Sequence, residues 1–68
     1  MNDELTLFLI VAYMESGYRL AEMRNYGSYY QSVIDEHRNA RQELIQYLYN
    51  YYPNTLSNLQ TRGYLNGD

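Results

Sequence analysis

The chain has 68 residues, with eight acidic side chains, five basic ones that are all arginine, a net charge of −3 and no cysteine. Without cysteine there are no disulfides, thiolate zinc sites or thiol nucleophiles, and the charge is too mild to mimic DNA and of the wrong sign for a phosphate-binding surface. A single domain of this length, residues 1–68, buries only about 60% of the surface of its unfolded form, and such folds are commonly completed by a disulfide, a metal or a second copy.

The apolar run Leu5 to Met14 follows Asp3 and Glu4 rather than a basic segment, which argues against a secretory signal. It is also about half the roughly 20 residues of a membrane span. The expectation is a cytoplasmic protein with no membrane association.

Proline occurs once and glycine four times, which leaves two long stretches without strong breakers. The first helix is expected over about 3–25, after Asn2 or Asp3 as cap. Leu5, Phe8, Leu9, Ala12, Ser16, Leu20 and Met23 recur along it at three- and four-residue spacing. The stripe passes Gly17 in phase, so one helix is preferred to a break there, at a cost of about 1 kcal/mol for the glycine. Gly27 suits the left-handed end of that helix, and Ser28 with Gln31 forms a capping-box pattern.

A second helix is expected over about 28–52, with Tyr30, Val33, Ile34, His37, Ala40, Arg41, Leu44, Leu48 and Tyr51 on one stripe and polar residues opposite. Pro53 cannot continue it. A short third helix is expected over about 55–62, capped by Asn54 or Thr55, with Leu56 and Leu59 inward and Gly63 as its stop. The tail 66–68 is expected to fray.

The predicted fold is therefore all-α: an antiparallel hairpin of two long helices plus a short C-terminal one, dimerising into a four-helix bundle. In such a hairpin the numbers of facing residues sum to about 54. That sets Leu5 to Ala12 beside Arg41 to Tyr49, Arg19 near Asp35 and Glu36, and Glu15 near Arg41. The last two are expected to form an inter-helix ion pair, because Arg41 lies on an otherwise apolar stripe and needs an acidic partner if covered.

The first helix carries apolar residues on two opposite sides, and one partner helix cannot cover both. Leu7, Ile10, Met14 and Tyr18 are assigned to self-association through the second side. Ten tyrosines stand against one phenylalanine, and a ring with a polar tip suits an interface. No charge occurs from Ile45 to Thr61, a stretch that falls against the uncharged Leu5 to Met14. Phe8, Val11, Tyr47, Tyr49, Tyr51 and Tyr52 are accordingly the candidate partner interface. Tyr49 stands out because it projects from the polar side of its helix, while Tyr30 and Tyr51 are expected in the core.

His37 is the only histidine and has no Glu-x-x-His or His-x-x-x-His companion, so it reads as structural rather than as a base or metal ligand. With no glycine-rich phosphate loop, no cofactor and no catalytic residue is expected. The functional expectation is a small non-enzymatic protein–protein interaction module, an adaptor, inhibitor or regulator, acting as a homo-oligomer on another protein. The alternatives are an obligate self-assembling structural protein and, further off, a single-stranded nucleic-acid binder stacking bases on tyrosines beside Arg19, Arg24, Arg38 or Arg62.

Overall fold

The computed structural model describes residues 3–27 and 30–65. It is all-helical, with α1 (Asp3–Asn25), α2 (Gln31–Tyr51) and α3 (Pro53–Thr61). The two long helices lie against each other, and the short third lies against α2. Among the described residues no helix is long and apolar enough to cross a membrane.

Helix α1 runs through Gly17 without interruption, as the unbroken phase of its stripe predicts. Gly27, at φ +69°, takes the left-handed conformation that ends it. Tyr30 occupies the N-cap position of α2 and makes no side-chain capping bond, so the start lies later than the expected capping box. Ser28 lies outside the described residues, as do Tyr29, Asn2 and the tail 66–68. The turn is closed by the Tyr30 backbone N–H, which donates to Met23 Sδ at 3.1 Å.

At the other end, Pro53 both stops α2 and starts α3. It stands in the first turn of α3 rather than before it, because a first-turn residue has no intrahelical use for its N–H and φ is already helical. Tyr52 alone joins the two helices, donating to Leu48 O at 2.7 Å while its carbonyl accepts from Leu56 N at 3.0 Å. Helix α3 closes with Gly63 at φ +91°. Tyr64 N donates to Leu59 O at 2.9 Å and Gly63 N to Gln60 O at 3.0 Å, the paired bonds of a Schellman motif.

That motif redirects the chain so that Leu65 enters the core formed by Leu9, Leu44, Tyr47, Leu48 and Leu56. Leu65 holds φ +56°, which for a residue with a Cβ costs roughly 1–2 kcal/mol. Burial of a leucine side chain contributes about 1.5–3 kcal/mol and offsets it. The core lies at the open end of the hairpin. Toward the turn the buried apolar residue is Met23, and between the two lies a polar layer centred on Ser16.

Expectations about the core are corrected at both ends of the hairpin. Tyr30 and Tyr51 are exposed, whereas Tyr47 is buried. The buried face of α2 at its C-terminal end passes through Leu44, Tyr47 and Leu48 because α3 folds back there and supplies Leu56 from that side. Leu5 is exposed as well, as is Phe8; from the first turns of α1 it is Leu9 that enters the core.

Gly17, within α1, and Gly27, at the turn, respond oppositely to alanine. A Cβ at Gly17 would lie 3.4 Å from His37 Cε1, ordinary van der Waals contact, so Gly17→Ala should stabilise the fold by about 0.5–1 kcal/mol through helix propensity. Gly27→Ala meets no neighbour but places a Cβ at positive φ, and should destabilise by about 1 kcal/mol. Urea unfolding of both variants against the parent gives the two signs.

Candidate functional site

The facing of α1 and α2 is set by cross-helix bonds. Thr6 Oγ1 bonds Tyr47 Oη, Ser16 Oγ lies 2.9 Å from His37 Nδ1, and Arg19 Nη2 donates to Glu36 Oε1 in a salt bridge. Each pair lies within one of the mirrored sum of 54. An antiparallel hairpin with a tight turn imposes this register, and the polar side chains lock it.

The middle layer is built around His37. Its ring stacks on Tyr13 with centroids 5.0 Å apart and planes 20° from parallel, and the ring edge lies beside Gly17. Ser16, 1% exposed, also donates to the Tyr13 carbonyl at 2.9 Å. A hydroxyl has one proton to give. With that proton on the carbonyl, Ser16 Oγ accepts from His37, which then carries its proton on Nδ1. A serine beside a histidine is the geometry of an activated nucleophile, but burial keeps Ser16 from the reach of a substrate, and its hydroxyl is committed within its own helix. This pair holds the two helices together.

Two grooves flank the layer. One is lined by Phe8, Val11, Ala12, Glu15 and Arg19 of α1 and by Ser32, Asp35, Glu36, Asn39, Ala40 and Glu43 of α2; it holds four carboxylates and one arginine. The other is lined by Leu20, Arg24, Ile34, His37, Arg38 and Arg41, and no carboxylate is among them. Glu15 lines the first groove and Arg41 the second, and Arg19, expected near Asp35 and Glu36, makes its salt bridge with Glu36. Helical phase explains this: Arg41 is rotated about 100° from Ala40, so the two residues, both on the expected stripe, border opposite grooves.

The residues assigned to self-association share one exposed face. Leu7, Met14 and Tyr18 are 62%, 64% and 66% exposed. With Val11, also exposed, they step along α1 by four, three and four residues, the spacing of a coiled-coil seam, on the side opposite Leu9, Ser16 and Met23. Ile10 borders the seam, and Phe8 projects beside it at the acidic groove. Glu22, one turn after Tyr18, accepts a hydrogen bond from the Tyr18 hydroxyl. That bond, then the Glu22 charge and slight desolvation, raises the Tyr18 pKa above its ordinary 10.0.

Tyrosines of the partner interface separate. Tyr47 lies in the core, with its ring 5.0 Å from that of Tyr51 and 6.1 Å from that of Tyr52. Tyr49, Tyr51 and Tyr52 remain on the surface. Tyr64, exposed at the end of α3, adds an aromatic that the sequence reading did not single out. In the sequence Ser16 is one more stripe position; its partner His37 lies 21 residues along the chain and is reached only through the mirrored register. The arginine groove also departs from expectation, because net charge says nothing of how charges are shared between two flanks.

Ser16→Ala leaves the inward nitrogen of His37 without its hydroxyl partner and should destabilise by about 1–3 kcal/mol, read as a shift in the urea midpoint with helix content retained below it. Glu22→Gln removes both the acceptor charge and the repulsion that favour the neutral phenol, so Tyr18 should titrate lower. The stabilisation from the Tyr18–Glu22 contact is present below the ordinary tyrosine pKa and is lost as pH rises through the raised folded value; ring-carbon NMR shifts of Tyr18 in the two proteins follow it. Comparison with protein-family models, curated proteins and solved structures finds no match to this chain, so its function is argued from these residues.

Proposed function

We propose that the protein is a non-enzymatic interaction module that pairs with a second copy of itself through the outer face of α1 and presents the tyrosines of its charge-free end to a protein target. The observation that carries this reading is the second apolar face of α1. Leu7, Val11, Met14 and Tyr18 lie at coiled-coil spacing on a helix about 35 Å long; Leu7, Met14 and Tyr18 are largely exposed, and Val11 borders the groove to α2.

The occupant that fits is another copy. Among the described residues the core comprises six mutually packed side chains at one end with three partly buried neighbours, and a single core at this size rarely supplies more than about 3–5 kcal/mol. Packing α1 against α1 about a twofold axis sets the same face on itself, joins two hairpins into a four-helix bundle and adds apolar burial where each chain lacks it. The uncharged end then stays accessible. Tyr49, 66% exposed, projects there from an otherwise polar helix side with Tyr51 and Tyr52 nearby, and rigid amphipathic rings on an uncharged surface are favoured anchors for a protein partner.

Sedimentation of the parent chain should give twice the monomer mass. The double variant Leu7→Glu with Met14→Glu should sediment as a monomer and melt at a lower temperature, because it sets four carboxylates into the paired seam. A parent that is monomeric at micromolar concentration would remove the reading. Tyr49→Ala should leave the mass unchanged and weaken target binding; if it is silent in every assay beside a closed dimer, self-assembly is the protein's whole role.

A further inference from the structure

We infer that the groove between α1 and α2 that runs from Phe8 to Arg19 seats a basic amphipathic helix of another protein. The groove adjoins the outer seam of α1 at Val11 and does not include the exposed tyrosines of the charge-free end. The inference rests on neither surface having the role proposed above.

The floor of the groove is apolar and low. Ala12 and Ala40, both half-buried, face it from the two helices, and their single methyl groups leave a depression between the two backbones. Val11 borders it, and Phe8 stands at one end with 66% of its surface exposed. An aromatic ring that its own chain leaves in water beside an apolar depression marks a contact surface.

Charge decides what covers it. Four carboxylates and one arginine line the groove, so it carries three net negative charges, as many as the whole chain. Arg19 and Glu36 neutralise each other. Asp35 accepts from the neutral amide of Gln31 at 2.9 Å, and Glu15 and Glu43 hold no ion-pair partner among the described residues. By the mirrored register Glu43 stands level with Val11 and Glu15 with Asn39, so unpaired carboxylates occur on both walls. Such a groove repels a nucleic acid or an anionic membrane and attracts a basic segment.

The flanking backbone decides the form of that segment. Both walls are helices, and among the described residues there is no strand edge for an extended peptide to join. The element that matches two antiparallel helices is a third helix, with its ridge of side chains laid between theirs. From Phe8 to Arg19 α1 rises about 16 Å, or about three turns. A helix of that length with apolar residues at three- and four-residue spacing sets its stripe on Phe8, Val11, Ala12 and Ala40. Arginines or lysines beside the stripe then reach Glu15, Asp35 and Glu43, which is recognition of a helix in a groove.

The probe is an amidated peptide of about 14 residues with leucines at helical spacing and arginines between them; a permuted isomer has the same composition without the stripe. Each is titrated into the full chain at low salt while backbone amide NMR signals are followed. Saturable shifts centred on Phe8, Glu15, Ala40 and Glu43 are expected with the striped peptide, together with a gain in its helix content. The permuted isomer should bind about tenfold more weakly. Glu15→Gln with Glu43→Gln should weaken the striped peptide about tenfold, and Phe8→Ala by a similar factor. Glu4→Gln, outside the groove, should change it little, and circular dichroism of each variant confirms that the helices persist. Equal binding of the two peptides, or equal weakening by Glu4→Gln, would overturn the proposal, because either marks attraction to net charge alone. So would saturation of the same signals by calcium or spermidine with none by the peptide. A salt-sensitive rise in the mass of the chain alone, abolished by Glu15→Gln with Glu43→Gln, would overturn it too, by marking the groove as a seat for a second copy.

Discussion

The rest of the molecule depends on the close approach of α1 and α2 at the layer of Ser16, Gly17 and His37. The imidazole lies beside Gly17 and hydrogen-bonds the buried Ser16, and that directional bond favours one mutual rotation of the two helices. Helical residues are separated by about 100° of rotation, so a slip of one residue would move every contact along the hairpin. With the rotation held, Leu9 meets Leu44 and Leu48 at the open end, Arg19 meets Glu36, and acidic and basic side chains go to opposite grooves. A purely apolar middle layer would be less selective, because hydrophobic contact has no preferred direction, whereas a hydrogen bond weakens steeply with misalignment.

The second constraint is a shortage of cover. A helix of 23 residues carries apolar side chains on two sides, and within the chain α2 covers one of them while the other is exposed. Helix α3 serves the open end of the hairpin, where Leu56 and Leu65 complete the cluster around Leu44 and Tyr47. The backbone conformation of Leu65, unfavourable for any residue but glycine, shows how far a chain of this length goes to recruit one more buried side chain. Tyrosine suits such a molecule. At Tyr47 the ring fills the core while the hydroxyl reaches Thr6, and at Tyr18 the hydroxyl is held by Glu22 on a face still open to solvent.

Much of the hairpin was legible because it follows from local chemistry. Gly27 could end a helix, Pro53 could end α2, and the unbroken phase of Leu9, Ser16 and Met23 carried α1 through Gly17. The mirrored register, derived from turn length alone, placed Arg19 beside Glu36. The candidate site was less legible. Tyr47 and Tyr51 exchanged their expected places because α3 determines which side of the last turn of α2 is covered, and Glu15 and Arg41 line different grooves because adjacent positions on one stripe border opposite flanks.

Composition and periodicity by themselves determined the helices, their antiparallel order and the excess apolar face of α1, since each arises from interactions among residues close along the chain or from the geometry of a single turn. Which tyrosines are buried, which arginines share a cleft, and that Ser16 meets His37 were decided only by the tertiary structure. These depend on the rotation of one helix about its axis relative to another, and on where nine residues of α3 come to rest. Neither is encoded in a spacing. Both are settled when the polar middle layer and the apolar open end are satisfied together.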